Sequence, residues 1–229
     1  VLFSGVHRTD MIYEPAVAAM VAGRMGLNSQ GAPARTLTFD ILQGELGTLQ
    51  ACAVASTSGV RQTIVVSSEA PPPNIPSITA SASALLLRHA PEGSKTGFLA
   101  WARSGKLSGT TGARAAVQEA GELRIEDHRN EAFFAGAAHR VYEVAQRILI
   151  QSGVDASQVQ EIMAPGATTS QVTALARSLG CEKARLVTSP PEKTTAGLAD
   201  VWKQSTRIGL SLIVQGYGSS EALSALYQH

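Results

Sequence analysis

Few residues in this chain are obvious starting points for chemistry. The thiols are Cys52 and Cys181, and the imidazoles are His7, His89, His128, His139 and His229. A cysteine nucleophile needs a setting that favours the thiolate, such as a helix N-terminus or an adjacent base. Cys52 is followed by Ala53-Val54 and has no tight turn before it, so it reads as a small buried core residue. Cys181 follows a helix end and reads as packing. No histidine has a Ser, Cys or carboxylate in triad-like context. No His-x-x-x-His pair, GxGxxG or P-loop occurs. Gly216-Tyr217-Gly218-Ser219-Ser220 could cradle a phosphate, but a plain turn is the simpler reading. Two cysteines give neither a disulfide framework nor zinc spacing. No metal and no cofactor are expected.

Composition narrows the partners. The 229 residues carry 19 basic and 18 acidic side chains, a net charge of +1, and 44% are apolar. That is enough apolar surface for a folded core. The charge balance gives no electrostatic case for nucleic acid or an acidic membrane surface. No apolar run is long enough to span a bilayer, and the expected location is the cytoplasm. The opening Val1-Leu2-Phe3-Ser4-Gly5-Val6 already reads as a strand, with no initiator Met and no signal peptide.

The elements that must position any site fall into two similar halves. The first runs strand 1–6, an irregular loop, and a helix from Pro15 to Gly26, with proline at its first turn. Strand 35–41, a helix over 45–57 and strand 63–68 follow. The second runs strand 160–164, helix 169–179 ending at Leu179-Gly180, strand 184–188, helix 195–206 and strand 209–215. Gly47 and Gly197 correspond. Such alternation predicts parallel strands with crossover helices, as an ordinary doubly wound sheet would also show. The helix at 45–57 carries Leu46, Leu49, Ala51, Cys52, Ala53 and Ala55 and has almost no polar face. It is therefore expected between two sheets, with 195–206 beside it.

Before strand 160–164, Phe134, Ala137, Ala138, Val141, Val144, Ala145, Ile148 and Leu149 recur at helical spacing. The first half has no counterpart of that helix, so an N-terminal strand and helix region is expected to be missing from the chain. Between the halves, 70–76 is a polyproline-like connector. Segments 78–87, 97–101 and 122–126 read as strands. The expected division is 1–110 for the first half and 111–229 for the second.

In this order and spacing, Phe39-Asp40-Ile41-Leu42-Gln43-Gly44-Glu45-Leu46-Gly47, the helix from Pro15 to Leu27, the run from Ile162 to Gly180 and the loop 216–220 resemble the thiolase-like superfamily. The resemblance is to its β-ketoacyl synthase III branch and covers about 170 residues. It implies an α/β thiolase-like fold, with duplicated βαβαβ halves in an α/β/α/β/α arrangement. It also implies acyl transfer and condensation by a Cys at a buried helix start, aided by a His and an Asn. In this chain those three positions fall on Glu45, Pro165 and Lys193. A carboxylate does not form the thioester, and proline has neither an ionisable group nor an N–H donor.

The resemblance thus implies a degenerate, non-catalytic homologue. It would pair with a catalytic ketosynthase III homologue and meet acyl carrier protein or acyl-CoA through that complex. Two alternatives stand beside this one. The first is an active acyltransferase or decarboxylase using Glu45 as a general base with Lys193 as its partner, although an ion pair of the two that merely fills the vacated pocket is the favoured reading of those residues. The second is a homodimeric binder of acyl chains or acyl carrier protein. For the dimer, the resemblance points to Ile64, Val65 and Val66 on an edge strand and to Met11, Ile12 and Tyr13 in a loop reaching the partner's acyl tunnel.

Overall fold

The computed structural model describes residues 2–6, 17–27, 36–41, 43–69, 80–105, 113–117, 123–193 and 195–229. The expectations for Met11, Ile12 and Tyr13 lie outside those residues. The first part contains β1 (Leu2–Val6), α1 (Val17–Arg24), β2 (Phe39–Ile41), α2 (Gly47–Thr57), β3 (Gln62–Glu69), β4 (Ser81–Arg88) and β5 (Gly97–Arg103). A hairpin of β6 (Ala113–Val117) and β7 (Leu123–Asp127) follows. The rest contains α3 (Glu131–Ser152), β8 (Val159–Ala164), α4 (Thr169–Leu179), β9 (Arg185–Thr188), α5 (Gly197–Gln204), β10 (Leu210–Gln215) and β11 (Leu223–Gln228).

Two sheets carry the fold. One has the order β2-β1-β3-β4 and the other β5-β11-β10-β8-β9. In the first, β1 runs parallel to β2 and β3, and β4 turns back antiparallel. In the second, β8, β9 and β10 are parallel, while β11 and β5 are antiparallel additions.

The layer between the sheets is set by small and aliphatic side chains. Leu46, Leu49, Ala51, Cys52 and Ala55 pack with Leu198 and Val201 of α5, Met163, Val187 and Ile213 of one sheet, and Val65 of the other. Both central helices therefore lie where their composition places them. On the outer face of the second sheet, α3 and α4 bury Val141, Val144, Ile148, Val172 and Ala176 against Leu212, Val214 and Leu226. On the outer face of the first, Ala18 and Ala22 of α1 pack near Val66. The result is the layered α/β/α/β/α arrangement. All six residues of β10 are buried, as expected for a strand covered on both faces.

Helix ends follow local chemistry. Asn130 caps α3 by accepting the Phe133 N–H at 2.9 Å. Thr168 and Gln171 form a capping box on α4, and Gly180 closes that helix at φ +75°. Asp40 acts across strands, its carboxylate accepting the N–H groups of Val17 and Ala18 at 2.9 and 2.8 Å. The aspartate of the Phe39-Asp40-Ile41 run thus caps the start of α1.

Several expectations are corrected. Ile64, Val65 and Val66 do not lie on a free edge. Their strand pairs with β4 on one side, Ile64 opposite Leu86 and Val66 opposite Ala84, and with β1 on the other. The hazard of an unpaired Ile-Val-Val edge is removed within the chain. Among the described residues, the edges of that sheet are β2 and β4. On α3 the buried aromatic is Phe133, whereas Phe134 is 40% exposed. The strands β6 and β11 go beyond the sequence expectations, and β5, expected as a strand without a sheet assigned, lies at the edge of the second sheet.

Candidate functional site

The three positions marked by the resemblance gather at one end of the central layer. Glu45 lies in a single 3-10 turn, Gly44–Leu46, that feeds α2. Pro165 follows β8 and is buried. Lys193 lies four residues before α5 begins at Gly197. The two helix starts are tied together, because the Thr48 hydroxyl donates to the Thr195 carbonyl at 2.7 Å. Gly166 donates its N–H to Ser189 Oγ at 3.0 Å, fixing the turn after Pro165. The start of α5 packs tightly there, since a Cβ on Gly197 would come 3.4 Å from the Pro165 Cβ and 2.3 Å from Ser189 Oγ.

The Glu45 carboxylate has a defined partner. Its two oxygens accept the Gly218 N–H at 3.1 and 3.2 Å. A Cβ on Gly218 would lie 2.8 Å from Glu45 Oε2, so any larger residue there obliges the carboxylate to shift. The glycine-rich loop is held from behind by Arg129, which donates to the Gly218 carbonyl at 3.3 Å, and by Arg140, which donates to the Ser219 carbonyl at 3.3 Å. Part of Glu45 reaches solvent, yet its carboxyl is crowded by protein. Desolvation pushes its pKa up to about 7, against the opposing effects of the Gly218 amide, the Arg129 charge and the Gly216 amide.

Lys193 does not reach Glu45. Its ammonium pairs with Asp200 at 2.9 Å, and that bond holds its pKa above the usual lysine value. The expected Glu45–Lys193 ion pair is thus corrected: each group has its own partner. Asp200 was visible in the sequence as a polar residue on α5. Arg129 and the Gly218 amide are joined to Glu45 only by the tertiary fold.

Among the described residues, which do not include His7, the thiols and imidazoles supply no substitute machinery. Cys52 is fully buried, and desolvation drives its pKa up to about 12, so the thiol stays protonated. Cys181 is likewise shifted up by burial and by Asp155. His89, His128 and His139 are exposed. His229 contacts Ser211 Oγ at 2.9 Å beside Glu161. Among the described residues no group of three metal-ligating side chains occurs. None of the helices in them is long and apolar enough to cross a membrane. The chemistry open to this site is that of one carboxyl group with a near-neutral pKa, held against a backbone N–H at a helix start.

No family model and no curated protein matches the sequence. Solved structures do. The 3-oxoacyl-(acyl carrier protein) synthase III of Pseudomonas aeruginosa PAO1 superposes with a TM-score of 0.78 at 20% identity, covering 99% of this chain and 75% of that one. The synthase III of Thermus thermophilus gives 0.77 at 17% identity, covering 100% and 76%. A tetronic acid condensing enzyme, AbyA1, gives 0.76 at 15% identity, covering 100% and 79%. The chain has the thiolase-like fold of ketosynthase III condensing enzymes and spans about three quarters of the length of these structures.

Proposed function

We propose that this chain is a ketosynthase III-like subunit without acyl-transfer chemistry of its own. In this reading it pairs with a catalytic homologue and shapes that partner's acyl pocket in fatty-acid or polyketide-type biosynthesis. The observation that carries the reading is Glu45. At the position where the resemblance puts the nucleophilic cysteine, a carboxylate accepts the Gly218 amide. An amide that could stabilise a developing oxyanion is thereby occupied by a resident one. Pro165 offers no donor where a histidine is expected, and Lys193 is engaged by Asp200. The partner would meet acyl carrier protein or acyl-CoA, and the loop bearing Met11, Ile12 and Tyr13 would face its acyl tunnel.

Two measurements test this. Intact-mass spectrometry after incubation with acyl-CoA and acyl carrier protein should show no acylated chain. Purification of the tagged protein from its native host should bring down a homologue carrying an intact Cys-His-Asn set. A stable acyl adduct on the isolated chain would sink the proposal. The near-neutral pKa of Glu45 favours a second reading, in which a malonyl thioester loses CO2 and the protonated carboxyl gives its proton to the enolate carbon left behind. That reading requires malonyl-thioester decarboxylation that disappears in Glu45→Gln.

A further inference from the structure

At the end of α2 away from Glu45 lies a cavity of about 870 Å³ between β4 and β5. Cys52 on its wall is seven residues beyond Glu45, roughly 10 Å along a helix axis. The cavity is therefore separate from the carboxylate site, and the inference below does not depend on the proposed function.

Its floor is apolar and aromatic. Leu85 and Leu87 of β4, Phe98 of β5, Trp202 of α5 and Tyr227 of β11 line it with Cys52. The rings form one cluster. Phe98 and Tyr227 have centroids 5.0 Å apart, Trp202 and Tyr227 4.7 Å, and Phe98 and Trp202 5.9 Å. All three rings belong to residues that are only partly buried, so ring surface faces the cavity.

Its rim is cationic. Arg88, His89, Lys203 and Arg207 lie on it, and no described lining residue is acidic. Among the described residues, Arg88, Lys203 and Arg207 form no ion pair with a carboxylate. Arg207 is the one described non-glycine residue with positive φ, at +56°. Its backbone is kept there by an N–H bond to Ser205 Oγ at 3.1 Å. A left-handed arginine costs on the order of 1 kcal/mol, yet it places a cation beside Tyr227.

We propose that this cavity binds a small amphipathic carboxylate, with its apolar tail against Phe98, Trp202 and Tyr227 and its head at Arg88, Lys203 and Arg207. Charge complementarity selects the head, because unpaired cations around a low-dielectric cleft concentrate a positive potential at its mouth. The floor selects the tail, because ring faces and leucines give a polar tail no hydrogen-bond partners. A neutral alcohol of the same length would gain only the floor, and a quaternary ammonium would meet the rim as a like charge.

Tryptophan emission reports on the floor, since the chain's two tryptophans, Trp101 and Trp202, both stack near Phe98. Titration with octanoate should give a saturable change, at least about tenfold tighter than with octanol, and none with octyltrimethylammonium. The double variant Lys203→Gln and Arg207→Asn should weaken octanoate at least about tenfold and leave octanol unchanged. Asparagine is chosen because it tolerates the left-handed backbone. Circular dichroism verifies that this surface variant is folded, and calorimetry repeats the titration without the optical signal. Equal affinity for octanoate and octanol, or no saturable binding below millimolar concentration, would overturn the proposal. So would loss of the octanoate signal in Glu45→Gln, which would place the ligand at the other end of α2.

Discussion

The carboxylate of Glu45 and the amide of Gly218, 173 residues apart in sequence, meet at 3.1 Å and join the start of α2 to the loop after β10. This contact links the two halves at the place where the resemblance puts the reaction. It also couples two residue identities, since a Cβ on Gly218 would come 2.8 Å from Glu45 Oε2 and oblige the carboxylate to shift.

Gly218→Ala is accordingly expected to push the Glu45 carboxylate aside at a cost of up to about 1 kcal/mol, because its Cβ would lie 2.8 Å from Glu45 Oε2 and 3.2 Å from Arg129 Nη1, both ends of flexible side chains. In a Glu45→Ala background the first of those clashes is gone, and the penalty should shrink by about 0.5 kcal/mol. Urea unfolding of the four proteins in the cycle measures the coupling. Strict additivity would show that the two side chains do not share this space.

The Glu45 pKa makes a signed prediction about pH. Its folded value of about 7 lies above the ordinary 4.5, so the folded state prefers the protonated form. The contribution is fully present below pH 4.5 and is lost as pH rises through 7. Allowing for the part of the residue that reaches solvent, that loss is about 2 kcal/mol. Glu45→Gln keeps an oxygen to accept the Gly218 amide but cannot ionise. The variant should be more stable than the parent at about pH 8 and about equal to it near pH 4.5. His229, whose pKa burial lowers, works in the opposite direction and is common to both proteins, so it cancels in the difference.

The order of elements was legible because the apolar patterns are clean: a helix such as α2, with Leu49, Ala51, Cys52 and Ala55 buried, can only sit between layers. The same order places Glu45 just before α2, Pro165 just after β8 and Lys193 shortly before α5. What each touches was not legible. Lys193 could pair with either Glu45 or Asp200 by charge alone, and only the path of the loop into α5 chooses Asp200. Adjacent Phe133 and Phe134 are equivalent in type, so the phase of α3 decides which is buried. That same face holds Arg140, a charged residue that periodicity assigns to solvent but whose guanidinium serves the Ser219 carbonyl. The strand Leu223–Gln228 follows a turn-rich stretch and reads as a tail, yet it lies between β10 and β5.

Glu161 is another residue whose role only the fold reveals, and it should be structurally expensive to remove. It is fully buried on β8 and accepts bonds from Arg185 at 2.9 Å, from the Thr206 amide at 3.3 Å, and from the hydroxyl of Ser205. Glu161→Ala takes the acceptor from the Thr206 amide and the Ser205 hydroxyl, while Arg185 keeps the Gln204 carbonyl at 2.6 Å, and is expected to cost about 1–3 kcal/mol for each orphaned donor. Arg185→Ala should cost less, because Glu161 then keeps the Thr206 amide and the Ser205 and Ser211 hydroxyls as donors. Thermal unfolding of the two variants ranks them. A smaller loss for Glu161→Ala than for Arg185→Ala would contradict this account of the network.

The proposed loss of chemistry predicts that restoring one residue is not enough. Glu45→Cys puts a thiol at the start of α2 and frees the Gly218 amide, and the helix N-terminus would favour the thiolate there. Such a variant gains the conditions for one step, transfer of an acyl group from a thioester to sulfur. Condensation also needs donors for the developing enolate and thioester oxygens. Pro165 has none, and Lys193 is held by Asp200 at 2.9 Å. The expected result is at most an acyl adduct on the introduced thiol, seen by intact mass, with no ketoacyl product by chromatography. Adding Pro165→His and Lys193→Asn to the same chain supplies the missing donors, and only that triple variant should form any ketoacyl product. Condensation by the single Glu45→Cys variant would mean that the donors are already present in this chain, and the reading of Pro165 and Lys193 as lost catalytic positions would fall.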